Sequence, residues 1–126
     1  MPATEVIMFQ KSDGTVPLIE WLDKLPEKVQ DKCLVKVQRL EEQGYELRRP
    51  EADSLRDGIH GLRVAFRGMQ YRMLYFFHGQ QAVISHGLKK ESVVPSKEID
   101  LAVERKARFE NDPMKHTCRE NDDEQE

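Results

Sequence analysis

The chain has 126 residues and a mass of 14.7 kDa, with 38% hydrophobic and 34% charged residues, so it suits one domain with a modest core. No apolar run approaches the roughly 18 residues needed to cross a bilayer. The N-terminus lacks the basic region and long apolar stretch of a secretory signal. Two cysteines, Cys33 and Cys118, cannot form a disulfide scaffold or a zinc site by themselves. We therefore expect a small, soluble, cytoplasmic protein without a membrane partner.

The net charge of −3 is unevenly distributed along the chain. Residues 1–45 carry six basic and eight acidic side chains, residues 46–90 carry eight and four, and residues 91–126 carry six and eleven. The middle of the chain is therefore basic and its end acidic. Because the local field matters more than the total for the choice of partner, an anionic ligand is compatible with this sequence.

The apolar pattern predicts a strand and two helices in the first part of the chain. A short β-like run covers Glu5 to Phe9. A first helix is expected to begin near Thr15, and Pro26 ends it and opens a second helix that stops at Gly44. Both helices carry an apolar stripe at helical spacing, so they need a shared surface to bury it.

That surface is predicted from three consecutive strands between Ile59 and Leu88. Gly68-Met69 and Gly79-Gln80 are the expected two-residue turns. A last helix follows Pro95-Ser96 and ends at residues 111–113. The order is strand, helix, helix, three-stranded meander and helix.

The predicted fold is thus a single α+β domain over residues 1–112, with two N-terminal helices packed on a twisted antiparallel sheet. Residues 113–126 are acidic and poor in apolar side chains, so we expect a disordered tail.

Alternation along the meander separates its side chains into two faces. A turn at Gly68-Met69 would pair Ala65 with Arg72 and Arg63 with Leu74, and the second turn would pair Arg72 with Gly87. One face is then almost wholly apolar, and the two N-terminal helices are expected to pack on it. Its predicted members are Leu62, Val64, Phe66, Tyr71, Met73, Tyr75, Phe77, Ala82, Ile84, His86 and Leu88. The opposite face gathers Arg63, Arg67 and Arg72, and a one-residue slip would bury these arginines under the helices at a high desolvation cost.

These three arginines lack acidic neighbours in the sequence. Asp57 is the only nearby carboxylate before Glu91. One interpretation is a sheet face that carries charge because it meets water. The other is an anion-binding site, which unpaired arginines beside Leu74 and Phe76 favour.

Several stretches resemble the RelE/ParE superfamily of toxins from bacterial toxin–antitoxin systems, in particular its HigB-like, phage-derived branch. The resemblance covers about residues 5–112, and its specificity lies in the order and spacing of the motifs. The stretches that carry it are Pro17-Leu18-Ile19-Glu20-Trp21-Leu22, Leu62-Arg63-Val64, Tyr71-Arg72-Met73-Leu74-Tyr75-Phe76, His86-Gly87-Leu88-Lys89-Lys90, Pro95-Ser96-Lys97-Glu98-Ile99, Ala102 and Arg105.

The resemblance implies a RelE-like fold and a ribosome-dependent mRNA endonuclease that a cognate antitoxin, often a small helix-turn-helix protein, holds inactive. Operator DNA would be bound only through that antitoxin. By position, Arg63, Arg72 and the pair Lys89-Lys90 match the basic residues of the branch. The chain departs from the branch at Gly61, where glutamate is common, and no tyrosine follows Lys90.

RNA can be cleaved without a metal or other cofactor when the 2′-hydroxyl attacks the neighbouring phosphate. Arginine suits this reaction because its planar fork binds two phosphate oxygens and stays charged. We assign Arg63 and Arg72 to the scissile phosphate, and Lys89 and Lys90 to the phosphate or the leaving oxygen. His60, which enters the first meander strand near Arg63, is the best histidine for proton transfer.

Two further arginines, Arg67 and Arg56, are expected to bind flanking RNA. A lysine with a lowered pKa is the alternative group for proton transfer. No cluster of Asp and Glu in the sequence suits a pair of magnesium ions, so a two-metal nuclease is not expected.

Two other functions remain open from the sequence. A ParE-like relative would inhibit DNA gyrase by binding rather than by cleaving RNA. An inactive family member would bind only its antitoxin. The converging cations Arg63, Arg72 and Lys89-Lys90 favour cleavage.

Overall fold

A six-stranded mixed sheet has helices packed on both of its faces. The structure is a computed structural model that describes residues 4–90 and 93–118, and it describes Lys90 by its backbone only. The helices in these ranges are α1 Pro17–Asp23, α2 Glu27–Gln43 and α3 Ser96–Asn111. The strands are β1 Glu5–Phe9, β2 Ala52–Ser54, β3 His60–Phe66, β4 Met69–His78, β5 Gln81–Lys90 and β6 Thr117–Cys118. The α+β prediction and its element order are confirmed, and the short strands β2 and β6 are additions to it.

The strands are arranged in the order β2-β3-β4-β5-β1-β6. The meander β3-β4-β5 is antiparallel, as predicted. Strand β1 pairs in parallel with β5, so the sheet is mixed, with the predicted antiparallel pairing in its meander. Parallel neighbours require a long connection, and here the two helices and the first strands of the meander supply it.

Each face of the sheet has its own hydrophobic core. Helices α1 and α2 pack on one face, and α3 packs on the other. The first core contains Leu18, Val29, Cys33, Leu40, Leu62, Val64, Tyr71, Met73, Tyr75, Ala82 and Ile84, among others. The second contains Ile7, Phe9, Ile59, Leu74, Phe76, Val83, Ile99, Ala102 and Phe109. Helix α3 therefore covers the apolar part of the face that carries the arginines. The sequence predicted this helix but not the face on which it packs.

The turn between β3 and β4 is Arg67-Gly68, and the predicted turn at Gly68-Met69 is wrong. Both turn residues have positive φ, 53° for Arg67 and 82° for Gly68, as a tight hairpin of the mirror-image type requires. The pairing therefore shifts by two residues relative to the prediction. A shift of two leaves every side chain on its predicted face, but it places Arg63 opposite Arg72 instead of Leu74.

Between β4 and β5 the predicted turn at Gly79-Gln80 is confirmed, since His78 pairs with Gln81. The register then shifts at a β-bulge, because Tyr75 pairs with Ile84 whereas Leu74 pairs with His86.

The extra residue of the bulge, Ser85, reverses the alternation in the rest of β5. His86 and Leu88 consequently share a face with Arg72, and their predicted place under the two N-terminal helices is wrong. Gly87 takes that place, and the Trp21 ring occupies the space that a Cβ atom at Gly87 would fill.

The described end of the predicted tail contacts the sheet through its last three residues, whereas Met114 is exposed. The buried His116 ring stacks on Phe9, with 4.9 Å between ring centroids. Thr117 and Cys118 pair with β1. The remainder of the predicted tail, residues 119–126, lies outside the described residues.

None of the helices in the described part of the chain is both long enough and apolar enough to span a membrane.

Candidate functional site

Two arginines face each other across neighbouring strands. Arg63 on β3 pairs directly with Arg72 on β4, so both side chains project from the face that α3 partly covers. Arg72 is only 6% exposed, whereas the Arg63 side chain is about a third exposed. Like charges directly opposite each other destabilise a sheet, so local packing alone does not explain this pair.

Arg72 has no carboxylate within ion-pair distance among the described residues. Its Nη1 donates a long hydrogen bond to the Tyr71 carbonyl oxygen at 3.4 Å. Burial, and after it the charge of Arg63, lower the pKa of Arg72, while Asp53 acts in the opposite direction. Because a guanidinium keeps its proton near neutral pH, Arg72 is a buried cation with unused donors.

One carboxylate does approach this pair, and the sequence did not predict it. Asp53 lies on β2, with Oδ2 3.6 Å from Arg63 Nε and Oδ1 2.9 Å from Arg49 Nε. The carboxylate expected nearby, Asp57, is bound instead by Arg56. We refer to Arg63, Arg72 and Asp53 as the arginine site, which has two cations for one carboxylate.

The position of Asp53 was hidden because β2 is only three residues long and has a sequence, Ala52-Asp53-Ser54, without a β-branched or aromatic side chain. Gly61 pairs with Asp53 on one side and with Leu74 on the other. A Cβ atom at Gly61 would lie 3.6 Å from Cδ of Arg72, so the Arg72 side chain lies next to this glycine.

His60 is not brought to the arginine site. It pairs with Tyr75, and its ring stacks on the Tyr75 ring with 5.2 Å between centroids. Strand alternation therefore directs it to the face opposite Arg63. Burial, and after it the charge of Lys106, lower the pKa of His60.

Lys89 and Lys90 form the basic pair at the end of β5. They directly follow Leu88, the residue that pairs with Arg72. Lys89 is exposed and pairs with Tyr71, so it alternates to the opposite face from Arg72. Lys90 occupies the register position of Gln70, two residues from Arg72, and its side chain lies outside the described part of the structure.

The two arginines predicted to bind flanking RNA lie outside the arginine site. Arg67 is in the exposed β3–β4 turn, with its guanidinium 5.2 Å from the centre of the Phe66 ring. The turn begins one residue earlier than predicted, so Arg67 is a turn residue. For this reason it does not join Arg63 and Arg72 in the predicted cluster of three arginines. Arg56 binds Asp57 and Asp100 and donates to Ser96 Oγ at 3.0 Å, which ties the β2–β3 loop to the start of α3.

A buried polar chain lies further along the same face. His86 Nδ1 is 2.7 Å from Ser85 Oγ, and its Nε2 is 2.9 Å from Glu98 Oε1. Arg105 donates to the Ser85 carbonyl oxygen at 3.2 Å. Because the histidine has a partner on each nitrogen, it joins the bulge of β5 to the first turn of α3.

The described residues contain no group of three His, Cys, Asp or Glu side chains placed to share one metal ion.

A three-helix α+β domain with this meander and a basic site at its end has a layout compatible with the RelE-like fold. A family model described as "Phage derived protein Gp49-like (DUF891)" matches residues 20–107, more than two thirds of the chain. The chain belongs to this Gp49-like family, which is a family of RelE-type, toxin-like proteins. A search of curated proteins returned no significant match.

Proposed function

We propose that this chain is the toxin of a type II toxin–antitoxin system of the HigB-like branch and acts as a metal-independent, ribosome-dependent mRNA endonuclease. The observation that carries the proposal is the Arg63–Arg72 pair. Two guanidinium groups on adjacent strands, one of them buried without a carboxylate among the described residues, form a site that a phosphate would complete. The membership in a toxin-like family supports the same conclusion.

In the proposed reaction the 2′-hydroxyl oxygen attacks the neighbouring phosphorus, and the bond from phosphorus to the 5′-oxygen breaks. The products are a 2′,3′-cyclic phosphate and a 5′-hydroxyl end. Arg63 and Arg72 would bind the non-bridging oxygens, on which negative charge increases in the transition state. Strand pairing holds both residues before substrate arrives, so little reorganisation is needed.

Proton transfer requires an acceptor for the 2′-hydroxyl proton and a donor for the 5′-oxygen. We assign the acceptor to Asp53, whose carboxylate lies beside Arg63, since His60 faces the other side of the sheet. Of the two lysines at the end of β5, we assign the donor to Lys90, because its register position opposite Gln70 has the same strand parity as Arg72, whereas Lys89 alternates to the opposite face. One proton is taken up by the carboxylate and one is released by a lysine, so the reaction is balanced.

The partners follow from this activity. A toxin-like family implies an antitoxin, which we propose to be a small helix-turn-helix protein that also provides contact with operator DNA. The substrate would be mRNA on the ribosome, and the place of action the cytoplasm.

Induced expression with mapping of mRNA ends tests the proposal. We expect growth arrest and new 5′ ends within translated regions, and we expect both to vanish when translation initiation is blocked. Arg72→Ala should abolish the cuts. Arg108→Ala is the matched control, because Arg108 is an exposed arginine on α3 paired with Glu104.

Other outcomes would contradict the proposal. Supercoiling defects without RNA cuts would indicate a ParE-like inhibitor of gyrase. A folded protein with no effect on growth would indicate a relative that only binds its antitoxin.

A further inference from the structure

A groove between α2 and the end of β3 adjoins the arginine site, and of the residues that line it only Arg63 has a part in the chemistry proposed there. Its volume is about 610 Å³. The residues that line it are Lys32, Val35, Lys36, Pro50, Arg63, Val64, Ala65 and Gln70. We call it the basic groove, because three of these side chains are cationic and none is acidic. Arg63 lines this groove and is also part of the arginine site, so the groove and the site meet at Arg63.

Strand β3 is open where the groove passes it. Strand β2 pairs only with residues 60–62 of β3. The last three residues of β3, from Val64 to Phe66, therefore have no strand on their outer side within the described part of the chain. This short β2 leaves room for an extended ligand beside Arg63.

The cations of the groove are available to a ligand to different degrees. Lys36 Nζ lies 3.4 Å from Glu51 Oε2, in a partly exposed pair of low energetic weight. Lys32 has no ion-pair partner among the described residues, and its Nζ lies 6.0 Å from the centre of the Phe66 ring. Lys32 and Lys36 are four residues apart on α2, which places them on one side of the helix.

An aromatic ring lies at the outer end of this row of charges. Phe66 is half-buried, and it is approached by Lys32 from α2 and by Arg67 from the turn. Cations along a groove together with an aromatic ring are the features by which proteins bind single-stranded nucleic acid without reading its sequence.

We propose that the basic groove binds the phosphodiester backbone of single-stranded RNA and guides it to the arginine site. This inference rests on the proposed function only in taking RNA as the ligand. Lys32 and Lys36 would contact phosphates flanking the one that is cleaved. They would position the strand and take no part in the chemistry.

The test is binding of a fluorescent, fully 2′-O-methylated RNA oligonucleotide of about ten nucleotides, which cannot be cleaved through its 2′ position. Lys32→Gln/Lys36→Gln should weaken binding about tenfold at low salt and reduce the slope of log K against log salt by about 1.4, the value for two phosphate contacts. The matched control is Lys11→Gln/Lys115→Gln, which removes two exposed lysines outside the groove and should leave the affinity unchanged.

A second arm distinguishes the two sources of RNA. If the occupant is mRNA, the groove variant should bind empty ribosomes as the wild type does and lose affinity for the oligonucleotide. If the occupant is ribosomal RNA, it should lose affinity for both.

Equal oligonucleotide binding by the groove variant and the wild type would overturn the inference, and so would loss of antitoxin binding alone, which would make the groove a protein interface. The proposed function fails separately. Suppose that the groove variant loses oligonucleotide binding but the wild-type protein makes no translation-dependent cuts. The groove would then be an RNA-binding site in a protein that is not a nuclease.

Discussion

Arg63 and Arg72 lie directly opposite each other on β3 and β4, and of the two only Arg63 has a described carboxylate within ion-pair distance, that of Asp53 at 3.6 Å. A hydrophobic side chain at the position of Arg72 would satisfy the fold better, because the site is 6% exposed and adjoins the core under α3. We therefore expect the pair to reduce the stability of the fold while it provides two fixed guanidinium groups for an anion. The remaining features of the proposed site depend on this relationship.

Arg72→Met should stabilise the protein. A buried donor without a full set of partners costs about 1–3 kcal/mol, and an apolar side chain of similar volume removes both that cost and the repulsion from Arg63. Urea unfolding at pH 7 measures the change, with the exposed Arg108→Met as a control that should stay near zero. A clear loss of stability in Arg72→Met would mean that Arg72 is held by structural contacts.

Asp53→Asn should separate catalysis from binding. If Asp53 accepts the proton, cleavage of ribosome-bound mRNA should fall by about 100-fold or more. Affinity for the uncleavable oligonucleotide should stay equal or increase, because a negative charge beside Arg63 is removed. Loss of RNA binding together with cleavage would show that Asp53 only orients Arg63, and undiminished cleavage would exclude it as the base.

Gly87→Ala should destabilise the fold by about 1–3 kcal/mol, the range for overpacking a filled site. The new methyl group would overlap the Trp21 ring, so α1 would have to move away from the sheet. Gly61→Ala is the control, since its Cβ would meet neighbours only at 3.6 Å and beyond. Equal unfolding midpoints for the two variants would show that the contact between α1 and β5 yields without cost.

The free energy of unfolding should decrease as the pH falls below about 6.5, the ordinary histidine pKa. Burial lowers the pKa of His86 in the folded protein, and the hydrogen bond to Glu98 offsets it only in part. Between the lowered pKa and 6.5 the unfolded chain binds more protons than the folded protein does. The contribution of His86 to the free energy of unfolding is therefore complete above pH 6.5 and is lost as the pH falls toward the lowered pKa.

Urea titrations between pH 7.5 and 5.5 measure this dependence. His60 contributes in the same direction because burial lowers its pKa as well. His86→Gln should therefore show a shallower, though not flat, dependence on pH. An unchanged slope in that variant would mean that His86 titrates alike in both states.

The element order could be predicted from apolar spacing and from breakers such as Pro26 and Gly44, because these signals are local. The register was harder to predict. A turn that begins with Arg67 gives no sign in its residue type that it will adopt positive φ. The faces of β3 and β4 were nevertheless predicted correctly, because the error in register was two residues.

Features that depend on tertiary contacts could not be predicted. The bulge at Ser85 brings His86 to Glu98 and Gly87 to Trp21, and neither contact leaves a periodic signal. Asp53 reaches Arg63 only because the short β2 pairs with β3. The i, i+4 spacing of Lys32 and Lys36 was visible, but the strand edge beside them was not.

The most direct test of the central claim is the single-turnover rate of mRNA cleavage on programmed ribosomes at saturating protein. We predict that Arg63→Ala and Arg72→Ala each reduce this rate by about 100-fold or more, the scale for loss of one well-placed donor to a developing negative charge. Arg108→Ala should cleave at the wild-type rate. A folded Arg72→Ala protein that cleaves as fast as the wild type would contradict the assignment of the arginine pair to the scissile phosphate.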